Sequence, residues 1–168
     1  SWSLREGLSQ PWELQISTLS TSARLDIHAL LGQKASLLTK LADGRSEHPR
    51  SGIVTAASAL AADGGFARYQ LTVQPWLALL AYGARSAVWQ EKSLPEIIDS
   101  VFGAYSQHAA WAWSPCAQQH LAQSHQGGHR SYTVQYRESD LAFVSRLLAR
   151  EGLVYRFEND EGAPLGHK

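Results

Sequence analysis

Seven histidines and a single cysteine are the first residues in this 168-residue chain to suggest chemistry. His108, Cys116, His120, His125 and His129 fall in one stretch, which raises the question of a bound metal. A structural zinc site pairs its ligands as two closely spaced doublets, and a metallopeptidase helix sets two histidines around a glutamate. Neither spacing occurs, so these residues read as loop histidines and an inert thiol, and no metal is expected.

Other catalytic patterns are missing too. No Gly-x-Ser-x-Gly elbow is present, and Cys116 beside Pro115 carries no signature of a cysteine nucleophile. Glu138 with Asp140, and Glu158 with Asp160, sit close enough in sequence to suggest an acid–base pair. Their positions at strand ends and turns favour structural roles. Gly64-Gly65 and Gly127-Gly128 lack both the lysine of a phosphate loop and the glycine spacing of a dinucleotide fold, so they read as turns. The sequence supplies no catalytic residue and no cofactor site, and the expectation is a protein that is not an enzyme.

Fifteen basic and fifteen acidic side chains give a formal net charge of +0, so no global field draws the chain to nucleic acid or to an anionic membrane. Arg130, Arg137, Arg146 and Arg150 are interleaved with Glu138, Asp140 and Glu151, the pattern of a mixed, pairing surface rather than a basic groove. No apolar run approaches the roughly 18 residues of a membrane span, and the opening residues lack the basic start and apolar core of a signal peptide. One cysteine excludes an internal disulfide framework. Trp111 and Trp113 read either as a contact patch or as residues buried against the rest of the fold.

The elements that must position these residues fall into two parts. Trp12, Leu14 and Ile16 alternate with polar residues, as do Tyr69, Leu71 and Val73, a period of two that predicts half-buried strands. Shorter strands are expected over 35–40, 53–61 and 77–82, separated by turn signals at Asp43-Gly44 and Asp63-Gly64-Gly65. Short strands at this spacing suggest a small barrel or sandwich. From Ser93 the period changes: Leu94, Ile97, Ile98, Val101, Phe102 and Tyr105 form one stripe of a helix, opened by a Ser93/Glu96 capping box with Pro95 in its first turn. Residues 106–130 lack periodicity and read as an irregular connection with one short helical turn. A strand through Tyr132, Val134 and Tyr136 leads to a helix capped near Ser139 and Asp140, with Leu141, Val144, Leu147 and Leu148 on one face and Gly152 as its stop. Leu153, Tyr155 and Phe157 alternate again, completing an expected strand, helix, strand unit.

That last stretch, Tyr132-Thr133-Val134-Gln135-Tyr136-Arg137-Glu138-Ser139-Asp140-Leu141 continuing through Gly152 to Glu158, resembles the signature of VgrG proteins, the spikes of bacterial type VI secretion systems. Leu30-Leu31-Gly32-Gln33, Gly52-Ile53-Val54, Pro75-Trp76 and the run from Gln90 to Ile98 follow the family in the same order. The resemblance implies an α+β chain: a small β-barrel like that of phage tail hubs over residues 1–90, lacking an opening strand, then an α+β segment over 91–168 that leads into an absent remainder of a second barrel. It implies a homotrimer of the full-length protein that seats on the hexameric Hcp tube, with a PAAR tip protein and effectors bound through regions beyond this sequence. The spike would assemble in the cytoplasm and leave through the apparatus without a signal peptide. Arg137, Glu138, Asp140 and Arg146 are then the candidates to reach a neighbouring subunit. A hub or baseplate protein of a contractile phage or of a phage-derived injection system is the alternative; a cell-wall hydrolase or a carbohydrate-binding module would be a different class.

Overall fold

The computed structural model describes residues 1–123 and 129–168; His125, Gly127 and Gly128 lie outside the described residues. Five strands, β1 (Trp2–Arg5), β2 (Glu13–Ser20), β3 (Lys34–Lys40), β4 (Glu47–Asp63) and β5 (Phe66–Gln74), form one antiparallel sheet in the order β1-β2-β5-β4-β3. The alternating residues set the register: Leu14 lies opposite Val73, and Ile16 opposite Leu71. Strand β4 pairs with β3 through its first half and with β5 through its second, with register shifts between Val54 and Ala56 and between Ala59 and Ala62. Such bulges bend a strand and increase its twist, and the sheet curls into a half-barrel. Gly64 and Gly65, at φ 60° and 83°, make the two-residue turn that joins β4 to β5.

Trp12, Leu14, Val54 and Val73 are buried together against this sheet. Gly52 is needed beside them, because a Cβ there would sit 2.6 Å from the Trp12 ring.

A second, larger core lies among the helices. The expected strand over 77–82 is instead the 3-10 helix Trp76–Ala81, with Trp76, Leu77, Ala78 and Leu80 buried. Pro75 starts it in an extended conformation, and the Ala78 and Tyr82 amides donate to the Pro75 and Leu79 carbonyls. An apolar run buried without a ladder partner satisfies its backbone locally, and periodicity alone does not separate the two outcomes. Helix α1 (Leu94–Gly103) follows the strand β6 (Arg85–Ser93) and buries Leu94, Ile97, Ile98, Val101 and Phe102. Its capping box forms: Ser93 Oγ accepts from the Glu96 amide, and the Glu96 carboxylate accepts from the Ser93 amide at 2.8 Å.

The stretch expected to be irregular holds helix α2 (Pro115–Gln123), whose Leu121 is its buried residue. With one buried position there is no apolar stripe to read. Strand β7 (His129–Glu138) pairs antiparallel with β6 as a separate two-stranded sheet, so β6 runs across the expected division at residue 90. Helix α3 (Asp140–Arg150) begins at Ser139, whose Oγ accepts from the Ala142 amide, and ends before Gly152 at φ 68°.

The closing strand of the expected strand, helix, strand unit does not form. Residues 153–157 do alternate, with Leu153, Tyr155 and Phe157 turned toward the interior and Val154 and Arg156 exposed. Their backbone bonds to the loop at Ser9, whose amide donates to the Tyr155 carbonyl at 3.0 Å, and back to α3, where the Leu153 amide donates to the Leu148 carbonyl at 2.9 Å. A period of two sets which way side chains face, whereas a strand also needs a neighbour with which to share its hydrogen bonds.

Candidate assembly surface

The β6–β7 sheet separates its residues cleanly. Ala87, Trp89, Thr133 and Gln135 face inward, and Trp89 stacks on Phe143 of α3 with ring centroids 4.9 Å apart. The other face carries Val88 directly opposite Val134, with Tyr132 and Tyr136 alongside, all exposed. Tyr136 is 66% exposed and Tyr132 58%, which is unusual for aromatic residues on a regular sheet face.

Arg137 sits at the end of this face with φ 49°, a conformation that a non-glycine residue adopts only where the surroundings hold it. Its amide donates to Ser86 Oγ at 3.2 Å, next to the register shift between Arg85 and Ala87. The bulge aims the guanidinium outward over the Tyr136 ring, 5.3 Å from its centroid.

The other three candidate interface residues are used within the chain. Glu138 pairs with Arg146, and Arg146 also donates to the Val134 carbonyl. Asp140 is buried. Its carboxylate accepts from Arg85 Nε at 2.7 Å, from Gln135 Nε2 at 2.8 Å and from the Tyr105 hydroxyl at 2.9 Å. Burial, and then the hydrogen bond to Asp140, push the Tyr105 phenol up to about 12. Arg137 and the pair Glu138–Arg146 are thus neighbours near the surface, while Asp140 locks β6, β7, α1's outgoing loop and α3 together from within.

Trp111 and Trp113 are half-buried, and both indole N–H groups donate to Asp99 Oδ1, at 2.6 and 3.0 Å. Trp111 packs against Trp76 and Phe102. Of the two readings open in the sequence, burial against the fold is the one observed. No periodic signal pointed to Asp99 as their shared acceptor. His120 and His129 each face a backbone carbonyl, of Glu151 and Glu91, and Cys116 is exposed. Among the described residues no three His, Cys, Asp or Glu side chains group as metal ligands.

Residues 5–168, spanning both the half-barrel and the helical part, match the family described as phage tail baseplate hub (GPD). The chain belongs to that family. Within it, the chain is similar to the type VI secretion system spike protein VgrG1b of Pseudomonas aeruginosa, 35% identical over 159 residues that make up 94% of this chain and 20% of that protein. VgrG1c of the same organism is 34% identical, with the same coverage. This baseplate-hub chain therefore spans about a fifth of the length of the curated relatives it matches. Among solved structures it is similar to the E. coli c3393 protein, described as a component of the type VI secretion system with structural similarity to the T4 bacteriophage tail proteins gp27 and gp5. The TM-score is 0.73 at 25% identity, covering 95% of this chain and 41% of that one. Among the described residues of the hub chain, no helix is long and apolar enough to cross a membrane.

Proposed function

We propose that this chain is the tail-hub portion of a type VI secretion spike, a structural part that acts by shape and symmetry and catalyses no reaction. The observation that carries the reading is the similarity to VgrG spike proteins over 94% of the chain, which runs through the half-barrel and the helical core alike. In this reading residues 1–90 contribute a barrel-like part of the hub and residues 91–168 an α+β part, with β6 spanning the join between them. Three copies close into a ring, as symmetric head-to-tail contacts allow. That ring seats on the hexameric Hcp tube, and a PAAR tip protein and effectors bind to other regions of the spike. The spike assembles in the cytoplasm and is expelled through the apparatus.

The exposed face of Val88, Tyr132, Val134 and Tyr136, continued by Arg137, is in this reading the surface that meets a second copy. Glu138 and Arg146 border it, and Asp140 supports it from beneath. A permanent assembly buries more than roughly 2,000 Å² per interface, so this face would be one part of a larger contact. Fluorescent labelling of the tube protein and of the gene product carrying this segment tests the placement. The reading expects co-migration of the two as one complex during sedimentation and joint release into the medium; separate sedimentation and retention in the cell would refute it.

A second reading has its own support, because the matching family is named for phage baseplates. A hub of a contractile phage would keep the same ring and the same face, and would be found in purified phage tails instead of among secreted proteins.

A further inference from the structure

His167 is buried, 2% exposed, and it lies where the two cores meet. It belongs to a short closing hairpin: Glu158 and Lys168 exchange backbone hydrogen bonds of 3.0 Å, and Asn159 bridges to His167. The imidazole meets Trp12 of the half-barrel edge-on at 5.8 Å and Phe157 at 5.7 Å. On its other side, Nε2 accepts the backbone N–H of Trp76, the first residue of the buried 3-10 helix, at 3.2 Å. One side chain thus touches the sheet core, the helical core and the hairpin.

That contact fixes the ring's protonation. An amide N–H can only donate, so Nε2 carries no proton; the proton is on Nδ1, which faces the Leu165 carbonyl at 3.2 Å. An imidazolium would have a proton on both nitrogens and no acceptor to offer Trp76.

The charges around the ring are also set against protonation. Lys34 reaches in from β3, where its Nζ donates to the Pro164 carbonyl at 3.1 Å, and Arg50 from β4 lies over Trp12. The nearby carboxylates are already engaged: Glu6 with Arg50, Glu158 with Arg156, and Asp160 with Lys168.

We propose that His167 is an acid-sensitive joint: neutral, it ties the closing hairpin and the half-barrel to the helical core, and protonated, it releases them. The surroundings agree in direction. Burial first, with Lys34 and Arg50 adding to it, holds the imidazole below its usual value of 6.5, against the opposing pull of the Leu165 and Ser51 backbone. A histidine depressed in the folded state binds its proton more readily once the joint is open. The stabilisation is therefore complete above the ordinary histidine value and is lost as pH falls below it, through the depressed one.

The test is nuclear magnetic resonance on the 168-residue chain from about pH 8 to about pH 4.5, a range that spans histidine titration. It follows the His167 ring nitrogens and the exchange of the Trp76 amide, corrected for its intrinsic rate. The expected result is a neutral Nδ1–H ring at the upper end, then a fall in Trp76 protection of about tenfold per pH unit once the open form is the one that is protonated, the slope of one proton. His167→Gln offers an acceptor that does not titrate, and its Trp76 protection should stay flat over the same range. Wild-type protection that is constant through the His167 titration would overturn the proposal, as would a His167→Gln variant with the wild-type acid dependence. Should His167→Gln fail to fold, the wild-type titration decides alone.

Discussion

Arg85 donates its Nε proton to Asp140 Oδ1 at 2.7 Å, joining the first residue of β6 to the first residue of α3 across more than fifty positions of sequence. Asp140 also accepts hydrogen bonds from Gln135 and Tyr105, so its carboxylate is the acceptor for three elements at once. Asp140→Ala would leave the fully buried Gln135 amide without that acceptor. Loss of one partner from a buried charged network costs about 3 kcal/mol. A urea melt of the variant should show a lower midpoint with little change in slope, and an unchanged midpoint would mean that the cluster contributes no stability.

Tyr105 should ionise late. Its phenol is pushed up to about 12, by burial first and by Asp140 second. The folded state therefore keeps a proton that the unfolded chain gives up near the ordinary tyrosine value, and this part of stability is lost as pH rises from about 10 toward 12. An ultraviolet titration of wild type against Tyr105→Phe should lose absorbance change only at the alkaline end; loss near pH 10 would contradict the geometry.

At the start of α1 the sensitive range is acidic. Bonds from the Ser93 amide and hydroxyl, with Lys92 beside them, lower Glu96 to about 2. This contribution is present above the ordinary value of 4.5 and disappears as pH falls through about 2. Ser93→Ala removes the hydroxyl cap, costs about 1 kcal/mol of stability, and should move the Glu96 carboxyl resonance titration back toward 4.5. A Glu96 titration that does not respond to Ser93→Ala would show that the box does not form in solution.

Gly52 is a steric prediction. An added methyl would meet the Trp12 ring at 2.6 Å and Val73 at 3.0 Å, both in the sheet core. Overpacking of this kind costs about 1–3 kcal/mol. Gly52→Ala should lower the melting temperature and shift Trp12 fluorescence, whereas Gly103→Ala, where a Cβ meets nothing within 4 Å, should leave the packing intact.

Much of this fold was legible because local signals agreed with one another. The Ser93/Glu96 box, the apolar stripe of α1, the glycine pair between β4 and β5, and Ser139 and Gly152 at the two ends of α3 each specify a backbone conformation within a few residues. The misread elements are those decided by distant partners. The run after Pro75 is apolar enough for a strand and becomes a 3-10 helix because the helical core surrounds it. Residues 153–157 have the strand pattern without a neighbouring strand. Helix α2 buries only Leu121 and so leaves little pattern. The candidate interface divides in the same way: Arg137 is outward because of a bulge that its own sequence does not announce, and Asp140 is internal because Arg85, Gln135 and Tyr105 converge on it from three separate segments.

The proposed tail hub works as a ring of three. Light scattering on the gene product that carries this segment, beside a Tyr136→Lys, Arg137→Glu double variant of it, measures that directly. The expected result is a mass three times that of one chain for the wild type and a smaller mass for the variant, with unaltered circular dichroism. A wild-type protein that remains monomeric throughout the working concentration range would contradict it.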